Sequence, residues 1–351
     1  MKVNFLTKHV SGSIGMFIIV MSIFIAVFAY FIAPDNSPYG NTMHLELSTL
    51  KPGSTVSFLR FPKKNRTQTS FIEQLLSGVV PPFTSIPIRS YEQKDSIISY
   101  VSYTSNLVTD ISLNQLLLSN NKSPEFTQTY YLGTDKYGRD LLSRLLIATR
   151  ISLSVGFIAV FISLLIGITL GLVSGYYGSW VDALILWFIN VVWSIPTLLM
   201  VIAISLALQS KGVWVAFVAV GLTMWVDVAR IVRGQVLQQK NMQYVEAAKS
   251  IGLREMPVLA RHILPNIVGP ILVIAAANFA TAILIEAGLS YLGFGIRPPS
   301  PSIGNMLNEQ YGFALSGKPF LALVPAITIM LLVLAFNLIG TGLRDAFDVR
   351  D

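Results

Sequence analysis

The chain has 351 residues, of which 53% are hydrophobic and 12% are charged. Soluble domains carry about a quarter charged residues, so this composition excludes an ordinary soluble domain and indicates a membrane protein. The sequence contains no cysteine, which excludes disulfides and thiolate metal sites. The net charge of +7 is explained by basic residues that hold cytoplasmic loops inside, and it does not indicate nucleic-acid binding.

The first predicted element is a transmembrane helix over residues 14–33, an apolar run that follows Lys2 and Lys8. About 20 apolar residues are enough to cross a bilayer core. A signal peptide is the alternative, but its apolar core is usually about 7–15 residues and is followed by small residues. This run is longer, and residues 30–32 are bulky. We therefore predict a first span with a cytoplasmic N-terminus.

A polar, proline-rich segment over residues 34–133 separates the first span from the rest of the chain. Residues 55–61 and 97–103 are rich in β-prone side chains and predict strands. Long loops cross the membrane largely regardless of their charge. We predict an extracytoplasmic insert of mixed α/β structure, whose role the sequence leaves open.

The segment after the insert, residues 135–150, predicts an amphipathic helix that lies along the outer membrane surface. Its leucines share one face, and its charged side chains lie mostly on the other. Thr134 is the predicted N-cap, and Asp135 suits the positive end of a helix. An ordinary interfacial helix is the plain interpretation of this pattern.

Five further apolar segments predict transmembrane helices, which gives six spans and places both termini in the cytoplasm. Gly167, Gly171 and Gly175 lie on one face of the second span and predict close helix packing. Pro196 predicts a kink in the third span. The five segments are residues 151–172, 183–208, 213–228, 267–284 and 320–339.

A polar stretch over residues 230–265 separates the fourth span from the fifth. It carries six Lys or Arg residues against two Glu residues, and short loops with this excess face the cytoplasm. Residues 244–251 are helix-prone, Gly252 suits a helix C-terminus, and Pro257 suits the first turn of the next helix. We predict two short helices that meet at Gly252.

Three motifs, in this order along the chain, resemble one family of transport proteins. The first resembles the GTDxxGRD signature of the dipeptide/oligopeptide/nickel branch of ABC-importer permeases, C-type subunit, and consists of Gly133, Thr134, Asp135, Gly138, Arg139 and Asp140. The second resembles the EAA loop of these permeases and consists of Glu246, Ala247, Ala248, Gly252, Leu264 and Pro265. The third is similar to the C-terminal tail of the branch and consists of Gly342, Leu343, Arg344, Asp345 and Asp348.

Residues 133–140 are named the rim motif below, and residues 230–265 the EAA loop. The resemblance covers residues 1–33 and 130–351. His262 departs from the general EAA pattern, which has Ile at this position, but the local sequence around it is similar to that of the peptide and nickel branch.

The resemblance implies an all-α polytopic membrane protein with six transmembrane helices in the type I ABC-importer permease architecture. Residues 1–33 would form the cytoplasmic N-terminus and first helix, and residues 34–133 the extracytoplasmic insert between helices 1 and 2. Residues 134–351 would form the permease core, with five helices and the EAA loop.

The resemblance also implies a non-catalytic subunit of the bacterial inner membrane that forms half of a pathway for di- or oligopeptides by alternating access. A second homologous permease would complete the heterodimer, and two ABC ATPase subunits, or one fused pair, would bind ATP and Mg. An extracytoplasmic binding protein would deliver the cargo, and nickel or another solute is the alternative cargo. This chain has no GxxxxGK[ST] phosphate loop, so we expect it to bind no cofactor itself.

The resemblance assigns the residues of the EAA motif to docking on the ATPase and the rim motif to an outer rim that receives substrate. Glu286 is an ionisable group near the end of the fifth span, which makes it a candidate for the pathway or gate. A contact with lipid headgroups is the alternative for Glu286. Asn278 either lines the pathway or bonds between helices. Asp227 and Arg230, three residues apart, predict an ion pair.

A gradient-driven secondary transporter or channel is the alternative class of function. Such proteins show internal repeats and paired interruptions of their spans, together with several intramembrane carboxylates. None of these features is evident in this sequence. Recovery of an ATPase and a second permease together with the chain would separate the two classes.

Overall fold

The structure, a computed structural model, describes residues 10–63, 70–94, 96–105, 107–116, 125–210 and 212–347. Within that part of the chain, five helices are long and apolar enough to cross a bilayer, and a bent helix pair is a sixth if it forms one span. The predicted polytopic helical architecture is thereby confirmed. Lys2, Lys8 and Asp348 lie outside the described residues.

The first span begins four residues before the predicted start. It consists of α1 (Val10–Val27) and the short α2 (Ala29–Ile32), after which the backbone becomes extended at Ala33. Gly15 of α1 lies against the last helix of the chain, since a Cβ there would be 2.6 Å from the carbonyl oxygen of Ala335. The first span therefore packs against the last.

The insert contains an antiparallel sheet of five strands in the order β4-β3-β2-β1-β5. Both predicted strands are present, and they correspond to β1 and β3. The elements of the insert are β1 (Ser54–Pro62), α3 (Phe71–Ser77), β2 (Phe83–Lys94), β3 (Ile97–Ser102), β4 (Val108–Ser112) and β5 (Glu125–Tyr130).

The two faces of this sheet have different environments because neighbouring side chains of a strand point to opposite faces. One face carries a small apolar core that includes Leu59, Ile88 and Ile98. The other face carries Phe58, which packs with Leu47, Val56 and Tyr130 near the rim motif. The insert therefore joins the helical core through one face of its sheet.

The predicted surface helix over residues 135–150 is wrong for residues 135–140, and only residues 141–150 are helical. The rim motif is a non-helical turn, and the next helix, α4 (Leu141–Tyr177), begins at its end and runs for 37 residues through the second span. Asp140, not Thr134, is the N-cap, because its side chain accepts from the backbone N–H of Ser143. Asp135, Arg139 and Arg144 are buried, and they pair with one another in a way that a helical-face pattern does not reveal.

The helix α4 packs closely along the fourth span, α7 (Val213–Gln239). Along the chain, two helices separate α4 from α7. They are α5 (Ser179–Trp193) and α6 (Thr197–Ala207), and they meet at an angle of 89°. Pro196 lies at this break, so the predicted kink is a sharp bend. The fourth span, α7 (Val213–Gln239), is eleven residues longer than the predicted segment 213–228.

The predicted glycine stripe of the second span is a packing surface. Its members lie against valines of α7, and a Cβ on Gly171 would be 2.7 Å from both the Ala229 carbonyl oxygen and the Val232 Cβ. Gly167 and Gly175 lie equally close to Val228 and Val236. These small residues allow the two helix backbones to approach each other closely.

The remaining elements follow the long α7. The described EAA loop begins only after Gln239, because its first ten residues continue α7. The segment that joins the fifth and sixth spans contains a helix, α11, that the sequence did not predict. The elements are α8 (Gln243–Ser250), α9 (Glu255–Val258), α10 (Val268–Tyr291), α11 (Ile303–Gln310) and α12 (Phe320–Phe347).

Candidate functional site: the rim motif and the EAA loop

The backbone of the rim motif is held in a turn by the carboxylate of Asp135. Its Oδ1 accepts from the backbone N–H groups of Tyr137 (2.8 Å) and Arg139 (3.0 Å). Gly138 has φ +70°, and a Cβ there would lie 1.7 Å from the carbonyl oxygen of His44. Both the conformation and the contact require glycine at this position.

The motif carries a buried network of two cations and two carboxylates. Asp135 Oδ2 accepts from Arg139 Nε at 2.7 Å and from Arg144 Nη1 at 2.6 Å. Glu309 Oε2 accepts from Arg139 Nη2 at 2.8 Å and from Arg144 Nη1 at 3.2 Å. Asp135 is fully buried, and both arginines are 2% exposed. In this setting each charge is matched by its neighbours, which a buried ion requires.

The sequence did not predict Glu309 as a member of this site, and the predicted helix placed Arg144 on its solvent-facing side. The signal for Glu309 was present, because it is the only acidic residue between 288 and 319. An unpaired acid in an outer connection is a candidate partner for the cations of the rim motif. The network ties the start of α4 to α11, which comes after α10 in the chain.

The rim motif also fastens the insert to the core. Thr134 Oγ1 accepts from the backbone N–H of Leu50 at 2.8 Å and donates to the Leu47 carbonyl. The backbone N–H of Asp35 donates to Ser143 Oγ at 2.8 Å. The predicted rim residues therefore form a junction between insert, α4 and α11.

The EAA loop presents α8 on a base of apolar side chains. Val245 and Ala248 are buried, while Glu246 and Ala247 are exposed. The buried pair packs in a cluster that includes Val232, from α7. Of the predicted EAA residues, the structure thus places Glu246 and Ala247 on the surface and Ala248 beneath it.

The predicted elbow at Gly252 is confirmed. Gly252 has φ +82°, its N–H donates to the Lys249 carbonyl at 2.9 Å, and the N–H of Leu253 donates to the Ala248 carbonyl at 3.3 Å. This pair of bonds is the Schellman motif, which ends helices at a left-handed residue. The predicted second helix is also present, with Pro257 in α9.

Leu264 and Pro265 lie in a short irregular stretch between α9 and α10. Residues 259–263 form a wide turn and residues 264–267 a tight one, after which α10 begins. Pro265 has no N–H for the carbonyl four residues earlier, and this accounts for the local irregularity. The second half of the loop therefore continues into the fifth span with no free linker.

Cations in the first part of the EAA loop hold the ends of the long helices together. Arg233 donates to Asp182 through Nε and Nη2, both at 2.6 Å, and Lys240 Nζ donates to the Tyr176 carbonyl at 2.6 Å. Arg230 donates to Asn190 at 3.0 Å and lies over the ring of Trp193, and is therefore not the predicted partner of Asp227.

Glu286 and Asn278 lie inside the helical core of this chain. Glu286 is fully buried, and its carboxylate accepts from the hydroxyls of Ser152 (2.8 Å), Ser290 (2.9 Å) and Ser302 (2.8 Å). Asn278 is 4% exposed. The three serines were not predicted, and they join α4, α10 and the segment before α11 through one carboxylate. A pathway or gate role for both residues stays a prediction.

The described residues include no group of three His, Asp or Glu side chains that could hold a metal ion. The long apolar helices define a multi-pass integral membrane protein, with a charged junction at one place and a two-helix loop at another. The sequence of residues 167–350 matches the family described as "Binding-protein-dependent transport system inner membrane component". The chain belongs to this family and is an inner-membrane component of a transport system.

Three curated relatives are similar over much of the chain. The glutathione transport system permease protein GsiD of Pectobacterium atrosepticum is 41% identical over 66% of this chain and 75% of its own. The dipeptide transport system permease protein DppC of Alkalihalophilus pseudofirmus is 41% identical over 63% of this chain and 72% of its own. The oligopeptide transport system permease protein OppC of Bacillus subtilis is 40% identical over 67% of this chain and 75% of its own. The resemblance to C-type permeases of ABC importers is confirmed.

Solved structures show weaker likeness. A structure of the MetNI methionine ABC transporter is 19% identical, with a TM-score of 0.49 over 58% of this chain and 96% of that chain. A structure of an amino acid ABC transporter is 19% identical, with a TM-score of 0.44 over 54% of this chain and 87% of that chain.

Proposed function

We propose that the chain forms half of the translocation pathway of an ATP-driven importer, with a second homologous permease as the other half. The EAA loop and both termini face the cytoplasm, and the insert faces outward. Two ATPase subunits, or one fused pair, bind ATP and Mg and dock on the EAA loop, while a binding protein delivers cargo from outside. The chain itself catalyses no reaction.

The cargo in this proposal is a short peptide. The support comes from the relatives, which are permeases of glutathione, dipeptide and oligopeptide transport systems. The three relatives are named for different cargoes, yet their sequence identities to this chain are nearly the same. A pathway that accepts several kinds of short peptide therefore fits these relatives better than a pathway specific for one cargo.

The observation that carries the docking proposal is an uncovered apolar surface on the EAA loop. Ile251 is 78% exposed and Met256 is 67% exposed, on the two sides of the Gly252 elbow. Met242 (40%) and Leu253 (38%) extend the same loop surface. A polar loop that exposes several large apolar side chains is typical of a surface that binds a protein partner.

The loop is also built to transmit displacement. Val245 and Ala248 pack against residues of α7 and of the stretch that leads into α10, so α8 cannot move without them. The α9 end of the loop continues directly into α10. Closure of the ATPases against α8 would therefore rotate two spans and alternate the access of the pathway.

The test uses the complex isolated from native membranes through a tag on this chain and reconstituted in proteoliposomes with its binding protein. Glu246→Lys and Gly252→Asp are each expected to leave membrane insertion intact and to lower dipeptide uptake per ATP hydrolysed by about ten-fold or more, as loss of a docking hot spot does. Glu92→Lys is the control for Glu246→Lys, because it makes the same charge change at an exposed position of the insert.

Normal coupled uptake by both EAA variants would remove the docking role of the loop. Dipeptide uptake by the chain alone, driven by an ion gradient without ATPase subunits, would overturn the importer proposal itself.

A further inference from the structure

A cavity of about 740 Å³ lies between the sheet of the insert and the start of α4. Binding pockets for small molecules commonly enclose about 300–1,000 Å³. Its floor is formed by residues 34–38 and 41–44 together with Asp140, and its wall by one face of the sheet. The wall residues include Phe58, Arg60, Phe83, Ser85, Phe126 and Tyr130.

These wall residues share a face because of the strand register. Arg60 of β1 pairs with Ser85 of β2, and Phe58 pairs with Phe126 of β5. Directly opposed residues of antiparallel strands point to the same side of the sheet. The cavity wall is therefore a fixed feature of the sheet.

The floor presents one carboxylate oxygen without a partner. Asp140 is 2% exposed, and its Oδ2 accepts from the backbone N–H and hydroxyl of Ser143. Its Oδ1 has no hydrogen-bond partner among the described residues. The neighbouring Asp35 differs, because its Oδ1 accepts from the Ser37 N–H and the Thr42 hydroxyl, and its Oδ2 accepts from the Thr42 N–H. Of these two carboxylates, Asp140 alone has an oxygen without a partner among the described residues, and a buried acceptor left unpaired is costly.

The sheet side of the cavity presents a cation. The guanidinium of Arg60 lies over two aromatic rings, 3.4 Å from the centroid of Phe126 and 4.2 Å from that of Phe83. Arg60 Nε is buried and has no hydrogen-bond partner among the described residues. Lys63 lines the same cavity and adds a second positive charge. The cavity is thus negative at its floor and positive at its wall, where phenylalanine rings lie against the guanidinium.

We propose that this cavity binds a small zwitterion of the α-amino acid type, with its ammonium on Asp140 Oδ1 and its carboxylate on the guanidinium of Arg60. Free amino acids and short peptides share this chemistry. The phenylalanine side chains contact the apolar part of the ligand. The site lies in the insert, and its occupation does not depend on the transport proposed above.

The protonation behaviour of Asp140 agrees with this assignment. Burial raises its pKa to about 6, the hydrogen bonds from Ser143 oppose this, and the charges of Asp35 and Asp135 add to it. The free site therefore lacks a counter-charge for Asp140, and a ligand ammonium would supply one.

The test measures binding to the purified full-length chain in lipid nanodiscs by isothermal titration calorimetry. The probes are alanine, dialanine, trialanine, N-acetyl-dialanine, which lacks the ammonium, and dialanine amide, which lacks the carboxylate. Arg60→Gln and Asp140→Asn each remove one charge of the site. Arg89→Gln is the matched control, because Arg89 lies on the same sheet, exposed and outside the cavity lining.

We expect saturable binding of at least one zwitterionic probe, weakened about ten-fold or more by blocking either end of the ligand, as loss of a charged hydrogen bond predicts. Arg60→Gln and Asp140→Asn should weaken it similarly, and Arg89→Gln should not. The comparison of alanine with its peptides separates an amino acid site from a peptide site.

Asp140 also caps α4, so the melting temperature of each variant is measured first, and Arg60→Gln carries the test if Asp140→Asn unfolds. Absence of saturable binding of every zwitterionic probe would overturn the proposal. Equal affinity of the wild type and Arg60→Gln, or equal binding of the blocked and unblocked dipeptides, would overturn it as well.

Discussion

Arg139 and Glu309 are joined at 2.8 Å across 170 residues of sequence. The arginine lies in the turn before α4, and the glutamate lies in α11, the helix between the fifth and sixth spans. Since Arg144 and Asp135 complete the same buried network, the contact holds two separate connections of the chain in one fixed arrangement. The rim motif is therefore first of all a structural junction.

Removing one member of this network should destabilise the protein strongly. Glu309→Gln leaves Arg139 and Arg144 with only Asp135 as a carboxylate partner, and breaking a buried ion pair costs about 3–5 kcal/mol. The melting temperature in detergent should fall clearly. Glu92→Gln is the control, because its pair with Lys94 is about four-fifths exposed and contributes under about 1 kcal/mol. Equal melting temperatures for the two variants would contradict the importance of the network.

Gly138 of the rim motif should be irreplaceable for two reasons that can be separated. Gly138→Ala adds a Cβ that would lie 1.7 Å from the His44 carbonyl oxygen, in addition to its left-handed backbone. Gly53→Ala also adds a Cβ at positive φ, but into open space. The conformational term alone costs about 1–2 kcal/mol. We expect Gly53→Ala to lose about this much stability and Gly138→Ala to lose considerably more or to fail to accumulate in the membrane.

Alanine should have opposite effects at two helix glycines. In Gly171→Ala the new methyl group would clash with Ala229 and Val232, and overpacking of this kind costs about 1–3 kcal/mol. Gly234 lies in α7 with nothing within 4 Å of a Cβ, so Gly234→Ala should stabilise the helix by about 1 kcal/mol. Thermal unfolding of the two variants in the same detergent tests the sign. A stabilising Gly171→Ala would show that the helices do not pack as described.

Asp140 should make the stability of the protein depend on pH. Its pKa of about 6 in the folded chain exceeds the unfolded value of about 3.9, so the unfolded state ionises first. The contribution of Asp140 to stability is complete below the unfolded pKa and is lost as the pH rises through about 6. Asp140→Asn keeps an oxygen that can accept at the helix N-cap. The amide does not ionise, so the loss of stability with rising pH should be absent in this variant.

The measurement is the unfolding of wild type and Asp140→Asn at about pH 5 and about pH 7.5. Over this interval, the free energy of unfolding should fall by about 1 kcal/mol more in the wild type than in the variant. Asp35, Asp135, His44 and Tyr130 face the same region, and burial lowers the pKa of His44. These groups remain in both proteins, so the difference isolates Asp140. An identical pH dependence in both would contradict the raised pKa.

Helix-forming segments were predictable wherever apolar residues decide the structure. The first span, the strands β1 and β3, the glycine stripe and the Gly252 elbow all depend on neighbours close in sequence. The ends of the spans were less accurate, because α4 and α7 continue as helices well beyond the apolar core. Packing and capping end those helices, and hydropathy does not detect either.

The error at the rim motif has a specific cause. Residues 135–150 satisfy a helical-face pattern, and only Gly138 hinted that the segment turns. The carboxylate of Asp135 prefers the N–H groups of Tyr137 and Arg139 and the side chains of two arginines, and these bonds hold the turn in place of a helix. The partner that completes the network, Glu309, lies too far along the chain for any local pattern to connect it.

The sequence by itself determined that this chain crosses a membrane several times and belongs with ABC-importer permeases, because apolar length and short motifs are local properties. Only the tertiary structure decided which charges are paired, that Asp140 and Arg60 share one cavity, and that the EAA loop continues into α10. Electrostatic pairing and cavities depend on distances in space, and residues far apart in the sequence set those distances.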